Sequence, residues 1–253
     1  MINVSENILT LLLLIAFLCA AFFAINSVLN RNSLVRLPRR GLNNSGKPLI
    51  SVLIPCRNEQ DNIGNCLDSF LQQTYSNIEI IVLDDDSDDD TGNILAQYMA
   101  SFPNISVILG KPLPEGWTGK NWACHQLAKL AQGEILIFTD ADVFWKEGAL
   151  GAILSFRKAQ GAGLLSVWPL QKVESVLERI AVPQLDVILL GGLPQLGAKH
   201  LPLDSLVAAN GQMMILDAFL LSNNMRQSEL TSTSDRKQLH REIDQLPLRT
   251  AEV

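Results

Sequence analysis

One apolar run that ends in two carboxylates constrains the fold of this chain more than any other stretch of its sequence. Residues 135–139 read Ile-Leu-Ile-Phe-Thr, come shortly after Gly133, and stop at Asp140 and Asp142. Such a run is typical of a strand buried on both faces of a parallel sheet, and open α/β sheets bind ligands at the carboxyl ends of their strands. Two carboxylates at i and i+2 can share one Mg²⁺ or Mn²⁺ ion and leave metal positions open for phosphate oxygens. The alternative is a solvated acidic turn.

Strands and helices alternate in the prediction for residues 48–167. Each short apolar run is followed by a segment whose apolar residues recur at helical spacing. The predicted strands are 49–54, 78–83, 105–109, 134–139 and 164–167, and the predicted helices are 61–73, 91–100, 120–130 and 147–159. We expect the first strand to end at Pro55, because proline has no backbone N–H for a sheet ladder. This alternation predicts an α/β domain with a mainly parallel sheet and flanking helices.

A dense acidic cluster follows the second predicted strand, where six of the seven residues from Asp84 to Asp90 are aspartates. Like charges at this density repel one another unless a cation or hydrogen-bond donors compensate them. Asp84 and Asp85 directly follow the strand, so we expect them at the same sheet edge as the two carboxylates described above. For residues 88–90 we favour a solvated turn that caps the helix beginning at Thr91, since carboxylates are stabilised at helix N-termini.

An apolar segment near the start of the chain predicts a transmembrane anchor. Residues Ile8 to Leu29 are almost wholly apolar, and a spanning helix needs ~20 such residues. A cleaved signal peptide is the competing interpretation, but the segment lacks a basic leader and exceeds the usual apolar length of ~7–15 residues. Residues 31–47 are basic and contain no acidic residue. The positive-inside rule therefore predicts a single-pass protein of the cell membrane with its main domain in the cytoplasm.

The composition argues against a nucleic-acid partner. The net charge is −6, with 47% hydrophobic and 18% charged residues, so no broad basic face is available to neutralise phosphates. The cysteines do not have metal-binding spacing, and we expect free thiols in a reducing compartment. They are Cys19, Cys56, Cys66 and Cys124.

Three motifs in order carry a resemblance to family 2 glycosyltransferases with the GT-A fold. They are Ser-Val-Leu-Ile-Pro-Cys-Arg-Asn-Glu at 51–59, Ile-Val-Leu-Asp-Asp at 81–85 with Ser87, Asp89 and Thr91, and Thr-Asp-Ala-Asp at 139–142. Residues 113–123, Leu-Pro-Glu-Gly-Trp-Thr-Gly-Lys-Asn-Trp-Ala, resemble the branch that contains chlorobactene glucosyltransferases and hopanoid-biosynthesis-associated glycosyltransferases. The expected organisation is an anchor at 1–30, a basic linker at 31–47, an incomplete GT-A domain at 48–217 and a divergent polar tail at 218–253.

The resemblance implies substrate-binding roles for Pro55, Arg57, Glu59, Asp84, Asp85, Lys120 and Asp140, and a metal-binding role for Asp142. The turn after the first strand would border the base and ribose of a nucleotide sugar, Asp85 would accept a hydrogen bond from uracil, and Asp84 would support that loop. Lys120 would approach the diphosphate, and Asp142 would bind Mg²⁺ or Mn²⁺. Lys120 also has an independent phosphate-binding rationale, because it lies at the start of a predicted helix. The implied reaction is inverting, metal-dependent transfer of a hexose from a nucleotide sugar, expected to be a UDP-sugar, to a hydroxyl of a lipid or isoprenoid acceptor.

The region after residue 217 departs from the family pattern. The family continues with an acidic pair on a helix, whose aspartate is the general base, and then with membrane helices. Residues 218–253 are polar instead, and Asp235 and Asp244 lack the surrounding pattern, so the general base is not assigned. We expect a truncated chain with impaired transfer and a tail that is disordered or weakly helical.

Two segments before the tail relate to the acceptor. Residues 173–196 are apolar but contain Pro183 and Pro194. We favour an amphipathic or re-entrant segment at the membrane surface, with a long core helix as the alternative. Residues 206–216 resemble the strand that lies beneath the acceptor site in the family.

Two other functions stay open on the residues alone. The segment around Asp140 superficially resembles the nucleophile loop of haloacid-dehalogenase-like phosphatases, although there the motif ends the first strand of the domain. The other alternative is a non-catalytic membrane protein that keeps the donor-binding motifs without turnover.

Overall fold

The computed structural model describes residues 4–33, 35–36, 48–161, 164–168, 170, 172–173, 175–192, 213–217 and 249–252. The helices are α1 (Val4–Ser33), α2 (Ile63–Leu71), α3 (Thr91–Ser101), α4 (Gly119–Leu130), α5 (Ala149–Gln160) and α6 (Val176–Gly192). The strands are β1 (Val35–Arg36), β2 (Ile50–Cys56), β3 (Ile78–Asp84), β4 (Ile105–Leu109), β5 (Ile135–Thr139), β6 (Leu164–Trp168), β7 (Met213–Asp217) and β8 (Arg249–Glu252). Every element predicted between residues 48 and 167 is present.

The described strands form one eight-stranded sheet in the order β1-β8-β6-β7-β5-β2-β3-β4. β2 pairs in parallel with β3 and β5, and β3 pairs in parallel with β4. β7 is antiparallel to β5 and β6. The predicted α/β class with a mainly parallel sheet is confirmed. The chain continues from β2 toward β3 and from β5 toward the other edge, so the strand order reverses between β2 and β5.

Alternate residues of the central strands pack on opposite faces of the sheet, as the pleat requires. On β2, Val52 and Ile54 join a core cluster with the apolar side chains of α2 and α5, whereas Leu53 joins a second cluster with α4. Burying each such side chain contributes roughly 1.5–3 kcal/mol. Because helices cover both faces of the central strands, polar side chains that do not pack in the core lie at the strand ends.

β2 continues through Pro55, so the prediction that proline would end this strand is wrong. Pro55 pairs with Leu83 of β3. The N–H of Ile50 donates toward the β3 side, to Asn77 O at 3.1 Å, so alternation directs position 55 toward β5. The pairing of β2 with β5 stops at Leu53. The missing N–H of proline therefore faces the opening between the two strands, and the ladder does not need it.

Gly133 allows the start of β5 to lie close to the start of β2. Its N–H donates to Ser51 Oγ at 2.8 Å. A Cβ at this position would lie 2.5 Å from Ser51 N and 2.8 Å from Leu49 O. These distances are to backbone atoms that cannot move aside, so a larger residue would displace β5 and the carboxylates that follow it.

α1 is long and apolar enough to cross a membrane, judged by length and composition. The stretch Asn7–Asn30 has 24 residues, and an 18-residue segment of it has a mean hydropathy of 3.0 and no buried residue. α1 alone meets these criteria among the helices that the structure describes. The helix continues to Ser33, slightly beyond the predicted anchor.

α6 packs against α1. Asn26 Nδ2 donates to Gly191 O at 2.9 Å, and a Cβ at Gly191 would lie 2.7 Å from a ring carbon of Phe23. Pro183 lies inside α6, so this proline does not interrupt the helix. Several apolar side chains of α6 are exposed, and a long core helix does not fit them. They are Val176, Leu177, Ile180 and Ile188.

The expectation of a disordered or weakly helical tail is wrong for its last described residues. Residues 249–252 form β8, which pairs in parallel with β6 and β1. Cross-strand pairing therefore determines their conformation, and no local sequence pattern indicates it. Residues 218–248, with Asp235 and Asp244, lie outside the described residues, as do residues 206–212 of the predicted acceptor strand.

Candidate functional site

A cavity of about 300 Å³ opens at the carboxyl ends of β2 and β5, where the strand order reverses. Its lining residues come from the end of β2 and the turn after it, from the residue that follows β3, from the start of α4 and from the turn after β5. They are Pro55, Cys56, Arg57, Glu59, Asp85, Lys120, Ala123, Asp140, Ala141 and Asp142. Ligands of open α/β sheets bind at this kind of switch point, and the volume lies at the lower end of the ~300–1,000 Å³ usual for ligand sites.

The two aspartates at the end of β3 point in different directions. Asp84 is 6% exposed, does not line the cavity, and its Oδ1 accepts a hydrogen bond from Ser87 N at 3.0 Å. Asp85 lines the cavity. Its carboxylate lies so close to Gly110 that a Cβ there would be 2.7 Å from Asp85 Oδ1. Successive residues of an extended chain point to opposite faces of a sheet. Asp84 therefore contacts the backbone of the loop that follows β3, whereas Asp85 faces the cavity.

Hydrogen bonds connect the turn after β2 to the acidic turn after β3. Asn58 N donates to Ser87 Oγ at 2.9 Å, and Asn58 Oδ1 accepts from Asp88 N at 2.9 Å. Glu59 N donates to Thr91 Oγ1 at 2.9 Å. Asn58 has a positive φ of 56°, which asparagine tolerates better than most residues. The backbones that carry Arg57, Glu59 and Asp85 therefore form one connected unit.

Asp89 belongs to this unit: it contacts the first residue of α3, as the predicted cap requires, and it also contacts the turn after β2, which was not predicted. Its carboxylate accepts from Gln60 N at 3.2 Å and from Thr91 N at 3.0 Å. Partial desolvation raises the pKa of Asp89, but the hydrogen bonds from Thr91 and Gln60 outweigh it, so the net pKa is lowered. Asp88 and Asp90 have exposed side chains, as predicted.

An ion pair joins two walls of the cavity. Lys120 Nζ lies 2.7 Å from Asp140 Oδ1, with side-chain exposures of 63% and 24%. The pair connects the first turn of α4 to the turn after β5. Asp142, two residues further along, has an exposed side chain. The cavity thus presents carboxylates and basic groups to the same space.

The segment after β5 that carries these carboxylates is fixed by contacts with side chains of α2 and of Gln73, which follows α2. Gln73 Nε2 donates to Lys146 O at 2.9 Å, and Gln73 Oε1 accepts from Leu150 N at 3.2 Å. Trp145 N donates to Ser69 Oγ at 3.1 Å. The Trp145 ring packs on Phe70 with centroids 5.0 Å apart. Leu150 lies in the first turn of α5, where backbone N–H groups lack intrahelical partners, so Gln73, just beyond the end of α2, supplies an acceptor for one of them.

The start of α4 is held by an aromatic cluster and a buried glutamine. Trp122 stacks on His125 at 5.4 Å, and Trp117 lies 5.3 Å from Trp122. Trp122 Nε1 donates to Lys111 O at 3.0 Å, and Lys111 N donates to Gln126 Oε1 at 2.9 Å. These contacts fasten the segment before α4 to the helix that presents Lys120 to the cavity.

The thiols near the cavity are protonated at neutral pH. Burial, and then the negative charges of Asp84 and Glu59, raise the pKa of Cys56 to about 12. Burial raises the pKa of Cys66 to about 12 and that of Cys124 to about 11. Because the thiolate is the nucleophile and metal ligand, these cysteines act as small apolar groups.

The residues present fit a divalent cation completed by a phosphorylated ligand. The described part of the chain contains no group of three or more His, Cys, Asp or Glu that could hold a metal alone. Asp140 and Asp142 supply carboxylate oxygens at the cavity. Mg²⁺ binds through one or two carboxylates together with substrate phosphates and water, and so needs no larger protein cage.

Most of the residues named from the sequence lie together at this cavity. Asp84 is the exception, because it is buried beneath the loop. Sequence reasoning did not select Cys56, Ala123 and Ala141, which also line the cavity, since small apolar side chains have no chemical signature. It also did not select Gln73, whose polar contacts with a distant turn could not be read from local spacing.

The fold and the cavity define an α/β domain of the GT-A type, and solved structures support this class. A mannosyltransferase, PcManGT from Pyrobaculum calidifontis in complex with GDP-Man and Mn²⁺, aligns with a TM-score of 0.56 at 20% identity over 83% of this chain and 57% of that chain. Staphylococcus aureus TarS 1–349 in complex with UDP aligns with a TM-score of 0.53 at 20% identity over 81% and 57%. At these identities the likeness shows the fold.

The chain belongs to glycosyl transferase family 2, whose sequence model matches residues 51–189. Its alignment with the 4,4'-diaponeurosporenoate glycosyltransferase of Staphylococcus haemolyticus has 38% identity over 134 residues and covers 52% of this chain and 35% of that protein. Its alignment with the protein of the same name from Staphylococcus aureus strain MRSA252 has 34% identity over 167 residues and covers 65% of this chain and 41% of that protein. The match thus spans less than half the length of these relatives. Family membership sets the phosphatase alternative aside.

Proposed function

We propose that this chain is a membrane-anchored glycosyltransferase that moves a hexose from a UDP-sugar to an isoprenoid lipid. One observation carries the proposal: basic and acidic side chains from separate elements face a single cavity at the switch point of the sheet. Arg57 and Lys120 suit a diphosphate, Asp85 suits a base edge, and Asp140 and Asp142 suit a cation or sugar hydroxyls. A nucleotide sugar carries all of these groups in one molecule.

The base and ribose would lie against the connected unit formed by the turns after β2 and β3. Pro55, Arg57 and Glu59 would border them, and Asp85 would accept a hydrogen bond from the uracil N–H. Asp84 would act indirectly through its hydrogen bond with Ser87 N. Hydrogen bonds between the two turns fix their relative position before the ligand arrives, which lowers the ordering cost of binding.

The diphosphate and the donor sugar would lie between α4 and the turn after β5. Lys120 would donate to the diphosphate, Asp142 would hold the cation, and Asp140 would lie nearer the ribose and sugar. Mg²⁺ or Mn²⁺ bound there would compensate the charge of the diphosphate leaving group. The family implies inversion, in which an acceptor oxygen attacks in line with the departing diphosphate. The general base is unassigned.

The membrane and acceptor assignments rest on α1, α6 and the relatives. We propose that α1 crosses the cell membrane once, with the domain in the cytoplasm, and that α6 lies beside it at the membrane. The relatives are named for an isoprenoid-type acid, diaponeurosporenoate. An acid acceptor is already ionised at neutral pH and needs no general base, unlike a hydroxyl. The acceptor group is therefore tested as both an alcohol and an acid.

Calorimetry on the full chain in detergent tests the donor site first. We expect UDP to bind in the presence of Mn²⁺ and to bind more weakly after chelation. Asp142→Asn should weaken this metal-dependent binding strongly, because it removes a charged ligand. Asp88→Asn is the matched control, since its side chain is exposed in the acidic turn after β3 and does not line the cavity. Equal losses in the two variants would show that the site is misplaced, and no UDP binding would refute the donor assignment.

Transfer is tested separately from binding. Membranes that contain the full chain are incubated with labelled UDP-glucose and either an isoprenoid alcohol or an isoprenoid acid, with Asp142→Asn membranes as the control. Labelled lipid that depends on Asp142 supports the proposal. Nucleotide binding without transfer to either acceptor would favour the non-catalytic alternative.

A further inference from the structure

The ion pair between Lys120 and Asp140 occupies groups that the proposed donor site needs for other partners. The 2.7 Å separation of Lys120 Nζ and Asp140 Oδ1 is a charge-assisted hydrogen bond. Both residues line the cavity. In the ligand-free protein, Lys120 therefore neutralises one of the two carboxylates that follow β5.

This pairing leaves Asp142 as the cavity-lining carboxylate of that turn for which the described residues form no ion pair. The described residues provide no larger set of metal ligands. A divalent cation that approaches the wall formed by α4 and the turn after β5 meets the carboxylate of Asp142, the already paired carboxylate of Asp140, and the positive charge of Lys120. The arrangement disfavours a cation that arrives without phosphate oxygens.

We propose that Lys120 is an internal counterion, meaning a basic side chain that neutralises Asp140 until the donor diphosphate replaces it as the partner. The inference rests on the proposed function. When a nucleotide diphosphate enters, Lys120 transfers its hydrogen bonds to phosphate oxygens and Asp140 is released toward the cation or the donor sugar. Lys120 is 63% exposed, so its side chain has room for this change without movement of α4.

The consequence is strong coupling between the nucleotide and the cation. Mn²⁺ alone should bind weakly, and saturating UDP should raise its affinity by about 5- to 150-fold, the range usual for coupled sites. Coupling of this kind is reciprocal, so Mn²⁺ should raise the affinity for UDP by the same factor. The counterion explains the coupling because its removal from Asp140 accompanies phosphate binding.

The test measures Mn²⁺ binding by electron paramagnetic resonance of the free ion, with and without UDP, on the full chain in detergent. Lys120→Gln should bind Mn²⁺ alone more tightly than the wild type, because Asp140 is no longer neutralised. The same variant should bind UDP more weakly in the presence of Mn²⁺. A merely structural role for Lys120 would weaken both. Lys120→Arg should restore weak binding of Mn²⁺ alone, since it keeps the charge.

Lys158→Gln is the control for the lost charge, because Lys158 is exposed on α5 and does not line the cavity. It should match the wild type in both measurements. If UDP binds but Lys120→Gln leaves the affinity for Mn²⁺ alone unchanged or lower, the counterion is refuted while the donor site stands. Absence of Mn²⁺ binding in every form, with UDP binding retained, refutes it also. If the wild type binds no UDP, the proposed function itself fails.

Discussion

Replacement of Gln73 by leucine should destabilise the turn that carries Asp140 and Asp142. Gln73 is 9% exposed. Its side chain donates to Ser69 O and Lys146 O, each at 2.9 Å, and accepts from Leu150 N at 3.2 Å. Leucine has a similar volume, so Gln73→Leu removes the hydrogen bonds without opening a large cavity.

The magnitude follows from the groups left unpaired. A typical hydrogen bond contributes about 0.5–1.5 kcal/mol net, and a buried polar group left without a partner costs about 1–3 kcal/mol. The N–H of Leu150 is buried in its contact with Gln73, while the contact with Lys146 is only partly buried. We therefore expect the free energy of unfolding to fall by about 2–4 kcal/mol.

Urea unfolding of the full chain in detergent, followed by tryptophan fluorescence, measures this loss. Trp145 is buried and lies beside Gln73 through its carbonyl, so its emission reports on the affected turn. Gln72→Leu is the matched control, because Gln72 is adjacent and exposed, and a surface change of this kind stays within about 0.5 kcal/mol. If the two variants differ by less than that, the hydrogen bonds of Gln73 do not hold the turn.

Two further predictions use the same preparations. Gly110→Ala should weaken UDP binding measured by calorimetry, because its Cβ would lie 2.7 Å from Asp85 Oδ1 and would displace that carboxylate. Gly64→Ala is the control and should leave UDP binding unchanged, because its Cβ would make only ordinary contact at 3.6 Å. Burial raises the pKa of Cys56 and Cys66 from 9.0 to about 12. The unfolded thiols ionise first as pH rises, so the free energy of unfolding should fall from about pH 9 upward. Urea midpoints across this range check it, and a flat profile would contradict the burial of these thiols.

The fold and the approximate location of the cavity could be predicted because they follow from local patterns and one topological rule. Apolar runs identify buried strands, and parallel strands place their carboxyl ends at one edge of the sheet. Asp85, Asp140 and Asp142 could be expected to converge for this reason. The prediction required no knowledge of the exact strand order.

Other features depend on contacts that local patterns do not contain. Pro55 would end β2 only if β5 needed a hydrogen bond from the backbone N–H at that position. The pairing of β2 with β5 stops at Leu53, so no such hydrogen bond is required. Asp89 accepts from Thr91 N at the start of α3, as a cap would, but its second partner, Gln60 N, lies on another turn. β8 lies next to β6 although no β pattern marks its residues. In each case a distant partner adds to the local preference or overrides it.

The two sides of the cavity differ in how firmly they are held, and this difference bears on the order of events during donor binding. On the side proposed for the base, backbone N–H groups of one turn donate to side chains of the other, as in the contacts of Asn58 with Ser87 and of Glu59 with Thr91. On the side proposed for the diphosphate, a largely exposed lysine contacts Asp140. Networks of satisfied backbone hydrogen bonds rigidify a site, whereas an exposed ion pair contributes little to stability and is easily exchanged. The proposed surface for the base is therefore formed before the nucleotide binds, whereas the proposed surface for the diphosphate can rearrange. This mobility allows Lys120 to release Asp140 when the phosphates bind.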